Sequence, residues 1–225
     1  MAFLPISCID NFFELPDKIR DYALTADNLN WQPSLDGAWP GIRSVNLENV
    51  NIHLFREICA RYLHIFFSQE QMKRLGFRAT MYFQKVEEDY YGGWIHNDYP
   101  SIHTSIIYLT PNMSLNSGTS MYQLKSLTQT DSDDIKNKLY LGKITKEEAE
   151  KHRIKHNNQY EQTVHYSNIY NRCISFDGNI HHGANTFENK KERLTLIIFW
   201  DELSSVTNFQ YTKSIPQGMQ FGKKQ

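Results

Sequence analysis

The chain has 225 residues, of which 40% are hydrophobic and 13% aromatic, enough to bury one sizeable core. Its 24 Lys and Arg nearly cancel its 25 Asp and Glu, and no basic run interleaved with aromatics appears, which argues against duplex nucleic acid or a membrane surface as a partner. Cys8, Cys59 and Cys173 are far apart and in no CxxC arrangement, so a disulfide framework or a zinc knuckle is disfavoured. The amino terminus has no basic segment followed by an unbroken apolar run, and the expectation is a soluble, cytoplasmic protein.

Pro16 suits the first turn of a helix in ELPDKIRDYALTAD. The segment SLDGAWPGIRS reads as a loop. A second helix follows in NVNIHLFREICARYLHIFFS, where Phe55, Ile58, Cys59, Tyr62 and Phe66 form one apolar stripe. From about residue 78 the period shortens to two. RATMYFQKV, WIHND, IHTSIIYL and GTSMYQL are short, rich in β-branched and aromatic residues, and bounded by turn formers, as strands are. The polar stretch from about 126 to 166 carries Thr145 and Glu148 in a capping-box pattern and reads as an inserted helical excursion. Strands resume with NRCISFD and RLTLIIFW, and the tail beyond about 204 is polar and turn-rich. Helices followed by many short strands predict a single α+β, mainly β domain over 1–225, with helices from about 8–68 packed on one face of an antiparallel sheet or barrel. The β core is expected over about 78–125 and 167–202.

In GGWIHNDYP, His96 and Asp98 stand two apart, and on an extended strand both point to one side. Gly92, Gly93, Asn97 and Pro100 make a loop the plain alternative. A metal centre needs a third ligand, and the tandem His181 and His182 at the end of a strand supply candidates. Eleven residues after His182, Arg193 opens an apolar strand and shares a face with Thr195, Ile197 and Phe199. A guanidinium buried in such company costs several kcal/mol unless an anion compensates it. A carboxylate, held bidentately by the arginine with the threonine hydroxyl as a further donor, would do so.

HxD, a distant His and an Arg-x-Thr one hairpin further on resemble the Fe(II)/2-oxoglutarate-dependent oxygenases of the prolyl-hydroxylase-like branch. HTSIIYLTPNMSLNSGTSMYQ is similar to the strand, turn and Gly-x-Thr strand after HxD in that branch, and ISFDGNIHHGAN to its distal-His strand. IDNFFELPDKIRDYAL and WPGIRS also look like the leading helix and loop of small bacterial and phage oxygenases. The resemblance covers most of residues 8 to 202 and leaves 126–166 outside. It implies a double-stranded β-helix, the jelly-roll or cupin-like core, and places the iron ligands on His96, Asp98 and His182, with His181 as the alternative third ligand. It also places the oxoglutarate carboxylate on Arg193, Thr195 and Tyr108. The implied chemistry couples oxidative decarboxylation of oxoglutarate to hydroxylation of a small-molecule or peptidyl substrate, a prolyl or other amino-acid side chain being one such target, with ascorbate as activator. Where family members have a double glycine, this chain has Ser117-Gly118.

Two other readings stand beside this one. A non-catalytic β-helix module would bind a small molecule or protein partner without chemistry. A metal-dependent cupin that uses no oxoglutarate would have little need of Arg193 and Thr195 facing inward. Gln84 is a further candidate contact to co-substrate or substrate, and His103 a substitute ligand or supporting donor. His152 and His156 are expected on a solvated helix face, Trp31, Trp39 and Trp94 in packing, with the lining of a substrate pocket as the alternative for Trp94, and Arg43 on an exposed loop, with contact to an anionic substrate group as its alternative. The substrate rim is expected from WPGIRS, DYYGGW and the insertion, which by its length also suits a lid.

Overall fold

The apolar patterns predict two kinds of element, and a computed structural model of the chain contains both. It describes residues 6–35, 38–87, 92–126, 133–187, 191–205 and 209–211. The first third contributes strand β1 (Ser7–Ile9), helix α1 (Pro16–Thr25), the two-residue strands β2 (Gln32–Pro33) and β3 (Ile42–Arg43), and helices α2 (Leu47–Val50), α3 (Ile52–Leu63) and α4 (Gln69–Met72). Pro16 occupies the first turn of α1, where its missing N–H costs nothing. Asn51 caps α3 through the Leu54 N–H, and the helix buries Phe55, Ile58, Cys59 and Tyr62 of the expected stripe together with Leu63; Phe66, the stripe's last member, lies beyond the end of the helix and is only partly buried against the same core.

Strands β4 (Leu75–Val86), β5 (His103–Tyr108) and β6 (Thr119–Leu124) follow, then helices α5 (Asp133–Tyr140) and α6 (Lys146–Asn157). Thr145 and Glu148 form the predicted capping box at the start of α6. Strands β7 (Tyr160–Tyr166), β8 (Cys173–Asp177), β9 (His181–Ala184), β10 (Arg193–Ser205) and β11 (Phe209–Tyr211) complete the described chain. The larger sheet runs β1-β8-β5-β10-β4-β3-β2, with β11 added to β10, and the smaller runs β7-β6-β9. All the pairings are antiparallel.

Strand β10 separates the two sides of the larger sheet. Leu194, Leu196, Ile198 and Trp200 enter the core with α3 and with Met81, Phe83 and Ile107 of the neighbouring strands. Trp200 stacks on Tyr62 of α3 with ring centroids 5.1 Å apart, and its indole N–H donates to Ser105 Oγ at 3.1 Å. The alternate residues face the smaller sheet, across a second cluster of Tyr108, Met121, Ile174 and Phe176. Among the described residues, no helix is long and apolar enough to cross a membrane.

Four local expectations change in the tertiary setting. SLDGAWPGIRS is not wholly a loop, because Ile42 and Arg43 pair with Lys85 and Gln84 and extend the larger sheet. WIHND forms a single β-bridge at His96 rather than a strand. His181 and His182 begin β9 after a turn instead of ending the preceding strand. Finally, the last part of the presumed helical excursion is β7, which pairs along the whole of β6. Gly118, at the Ser117-Gly118 step before β6, is required by close approach, since a Cβ there would lie 1.8 Å from the Tyr166 carbonyl oxygen.

Asn171 ties the chain's beginning to the larger sheet. It holds a left-handed φ of 64°, and its amide group accepts from the Phe13 N–H and donates to the Phe13 carbonyl, both at 2.8 Å. Asn171→Ala removes both buried bonds and places an ordinary side chain in the left-handed region, so urea unfolding is expected to show a loss of about 2–4 kcal/mol. Asn171→Gly, which relieves the backbone cost, is expected to lose less.

Candidate metal centre

The segment between β4 and β5 reaches the smaller sheet through main-chain bonds. Gly93 N–H donates to Ala184 O at 2.6 Å, His96 N–H to His182 O at 3.0 Å, and His182 N–H to His96 O at 2.7 Å. Residues that exchange both bonds in an antiparallel pair project their side chains to the same face. The imidazoles of His96 and His182 consequently lie together, ring centroids 4.5 Å apart. Asp98 is held by its N–H on Gly178 O and by Thr104, whose hydroxyl donates to Oδ2 at 2.7 Å. His96 Nε2 lies 3.7 Å from one carboxylate oxygen and His182 Nε2 3.4 Å from the other. The three ligand-type atoms fall within 4.8 Å of one another.

The ring nitrogens turned away from Asp98 decide what the centre can do. His96 Nδ1 meets the Trp94 carbonyl at 2.8 Å and His182 Nδ1 meets the Ile180 carbonyl at 3.0 Å. A carbonyl only accepts, so each Nδ1 carries the proton and a neutral ring presents its Nε2 lone pair. Two imidazole lone pairs and a carboxylate that face one another form a donor set suited to a divalent cation. The local electrostatics agree. Burial, followed by the proximity of His182, lowers the pKa of His96 and keeps the ring neutral. Burial opposes ionisation of Asp98, but the attraction of His182 and His96 in their protonated forms, the Thr104 hydrogen bond and Arg43 together outweigh it and hold the carboxyl below its ordinary value.

His181 points the other way. Its ring packs on Tyr160 at 4.9 Å, so the two tandem histidines serve opposite faces of β9. His103 is also outside the centre, buried on the helix side with Nε2 2.7 Å from the Tyr62 hydroxyl.

Arg193 lies at the other end of the same cleft, 9% exposed, over the ring of Phe187 at 4.7 Å and with Nη1 3.4–3.5 Å from the Ser117 and Gly118 carbonyls. Thr195 pairs with Tyr108 on one side and Gln84 on the other. The Tyr108 hydroxyl donates to Thr119 Oγ1 at 2.8 Å, and burial pushes its pKa up to about 12. Thr119 lines the cleft beside Arg193, a contact the sequence reading missed because it depends on how β6 faces β5. Gln84, Ile106, Ile197 and Phe199 add to the wall of this cleft of about 90 Å³.

The insertion supports the centre from behind. His156 is 5% exposed rather than solvated, and its Nε2 lies 2.7 Å from the Ile95 carbonyl. Asn157 accepts from the Ile95 N–H at 3.1 Å and donates to the Gly93 carbonyl at 3.0 Å. The end of α6 therefore clamps the segment that carries His96. Arg43, expected on an exposed loop, instead lines the cleft beside Gln84. Of the expected rim, Gly92 and Trp94 line an adjoining groove, while Asp89, Tyr90 and Tyr91 lie outside the described residues.

The sheet arrangement is shared with solved structures at low sequence identity. A prolyl hydroxylase from Trichoplax adhaerens, solved in complex with a hypoxia inducible factor peptide fragment, aligns over 87% of this chain and 82% of its own, with TM-score 0.52 and 10% identity. HygX from Streptomyces hygroscopicus, solved with nickel, 2-oxoglutarate and hygromycin B bound, aligns over 91% of this chain and 84% of its own, with TM-score 0.54 and 12% identity. The chain has the jelly-roll fold of the 2-oxoglutarate-dependent oxygenases, similar to the prolyl-hydroxylase-like branch. In sequence, residues 3–195 match the family model described as "Family of unknown function (DUF6445)", and the chain belongs to that family. No curated protein matches it.

Ni(II) at 100 times its Kd is expected to raise the protein's stability by about 2.7 kcal/mol, read as a shift in thermal unfolding. His182→Ala is expected to abolish this shift and His181→Asn to retain it; the opposite result would move the third donor to His181. Asn157→Ala, which loosens the segment behind His96, is expected to weaken Ni(II) binding by about tenfold in calorimetry.

Proposed function

We propose that the protein is an Fe(II)- and 2-oxoglutarate-dependent dioxygenase that hydroxylates a small-molecule or peptidyl substrate. The observation that carries the reading is the coexistence, in one cleft, of two histidines locked with Nε2 toward a carboxylate and a buried arginine beside Thr119 and Thr195. The fold shared with a prolyl hydroxylase and with the nickel- and oxoglutarate-bound HygX supports it. In this reading the chain of 225 residues is one oxygenase domain, and in its support the amino-terminal helices and the larger sheet share one core among the described residues.

Two histidines and one carboxylate ligate one side of a metal and leave positions open, the set suited to non-haem Fe(II). The bound iron and oxoglutarate supply the oxidising chemistry, in which oxoglutarate, dioxygen and substrate become succinate, carbon dioxide and hydroxylated product. His96, Asp98 and His182 hold the metal, and the Trp94 and Ile180 carbonyls fix the tautomers. Thr104 orients the Asp98 carboxylate. Arg193 would receive the distal carboxylate of oxoglutarate as a charge-assisted pair, with Thr195 on the same face of β10 and Tyr108 supporting the site through its hydrogen bond to Thr119. Ile106, Ile197 and Phe199 keep water from the reacting centre.

Succinate formation from oxoglutarate under air, with Fe(II) and ascorbate, tests the reading. Wild type is expected to turn over slowly without substrate, and His96→Ala and His182→Ala to abolish the signal. Arg193→Ala is expected to lose about 10–150-fold in kcat/KM for oxoglutarate, the equivalent of a charged hydrogen-bonded pair worth about 1.5–3 kcal/mol. No turnover, combined with no calorimetric binding of metal or oxoglutarate, would replace the enzyme with a non-catalytic binding module.

A further inference from the structure

Arg43 stands two strands beyond the nearest strand assigned above to the co-substrate, with β4 between them. On the larger sheet Arg43 pairs with Gln84, Gln84 with Thr195, and Thr195 with Tyr108, which makes one row of side chains on the same face of the sheet across β3, β4, β10 and β5, of which Arg43 and Gln84 line the cleft. Adjacent strands lie about 4.8 Å apart, so the Arg43 backbone is about two strand spacings from Thr195.

Its guanidinium is held in place by the protein. The carbon of the group lies 4.4 Å from the centre of the Trp39 ring, 5.5 Å from that of Phe199 and 6.0 Å from that of Tyr82. Nε donates to Gln84 Oε1 at 3.2 Å, and the Gln84 amide in turn donates to the Pro40 carbonyl at 2.8 Å. Gly41 shapes the approach to β3, with φ +70° and a position where any Cβ would lie 2.0 Å from the Lys85 carbonyl oxygen. Stacking on one face and a bond at Nε fix the plane of a guanidinium, and its Nη edge is the part that reads a carboxylate bidentately. Arg43 lines the cleft that holds His96, Asp98 and His182, as does Lys136 of α5.

The surroundings suit an organic acid. The cleft has the apolar walls Ile106, Ile197 and Phe199, and through Pro40 and Trp94 it adjoins a larger groove of about 350 Å³ where Ile42, Val86 and Leu139 share the lining with charged residues of both signs. We infer that Arg43, caged by Trp39, Tyr82 and Phe199, is the substrate-anchoring residue, and that the substrate carries a carboxylate on an apolar body. Arg193 and Arg43 then divide the cleft between two acids, co-substrate at one and substrate at the other. This inference rests on the oxygenase reading of the same cleft.

Ligand-observed fluorine NMR with 4-fluorophenylacetate, on protein loaded with nickel and oxoglutarate, tests it while no turnover occurs. Loading of each sample is measured by calorimetry, and variants are compared at matched occupancy. Wild type is expected to broaden the probe signal saturably and to ignore the uncharged 4-fluorophenylacetamide, a comparison that needs no variant. Arg43→Gln is expected to weaken probe binding at least tenfold, with Arg43→Lys between the two. The inference is overturned if wild type binds acid and amide alike or neither, if Arg43→Gln binds the acid within twofold of wild type, or if the acid displaces oxoglutarate instead of binding beside it. Loss of nickel and oxoglutarate binding in wild type, with Arg43-dependent probe binding intact, would instead overturn the oxygenase reading and leave an organic-acid site.

Discussion

Two main-chain hydrogen bonds organise the centre. The reciprocal pair between His96 and His182 joins a segment without regular strand structure to the smaller sheet and sets the rotation of both residues together. Because side chains alternate along β9, a slip of one residue in this pairing would present His181 in place of His182. Asp98 takes its position from the same segment two residues on, through Gly178 and Thr104 of the larger sheet. The donor set thus spans the gap between the two sheets, and its geometry depends on how they stack.

The opposite end of the cleft is governed by alternation along β10. Leu194, Leu196, Ile198 and Trp200 are buried against the helices, and each contributes about 1.5–3 kcal/mol or more on leaving water. That burial fixes the facing of the strand. Arg193 and Thr195 are carried to the cleft side by parity, even though a guanidinium there costs several kcal/mol before it is compensated. The strand that stabilises the core therefore also commits the fold to an arginine in its pocket.

The insertion has a structural part as well as its position beside the groove. His156 and Asn157 at the end of α6 make three contacts to the backbone of residues 93–95, directly ahead of His96. Those contacts give irregular backbone the hydrogen bonds it would otherwise obtain from a neighbouring strand. Strand β7, which closes the insertion, covers the outer edge of β6.

Much of this was readable along the chain where the controlling pattern is local. The stripe of α3, the Thr145–Glu148 cap and the shared face of Arg193 and Thr195 follow from periods of 3.6 and 2 within single elements, and the pairing of His96 with Asp98 from an i, i+2 spacing. Motif resemblance pointed to the jelly roll and chose His182. Residues whose place depends on a distant partner were misread or left open. His156 looked solvated because its neighbours in sequence are charged, and Arg43 looked like a loop residue because a two-residue strand leaves no period to detect. The sequence by itself determined which side of each element is apolar and which residue types can bind metal and carboxylate. The tertiary structure alone decided how His182 is brought against His96, that α6 clamps the segment carrying His96, and that Arg43 enters the cleft, because strand register and sheet stacking are set by long-range contacts that local propensity does not encode.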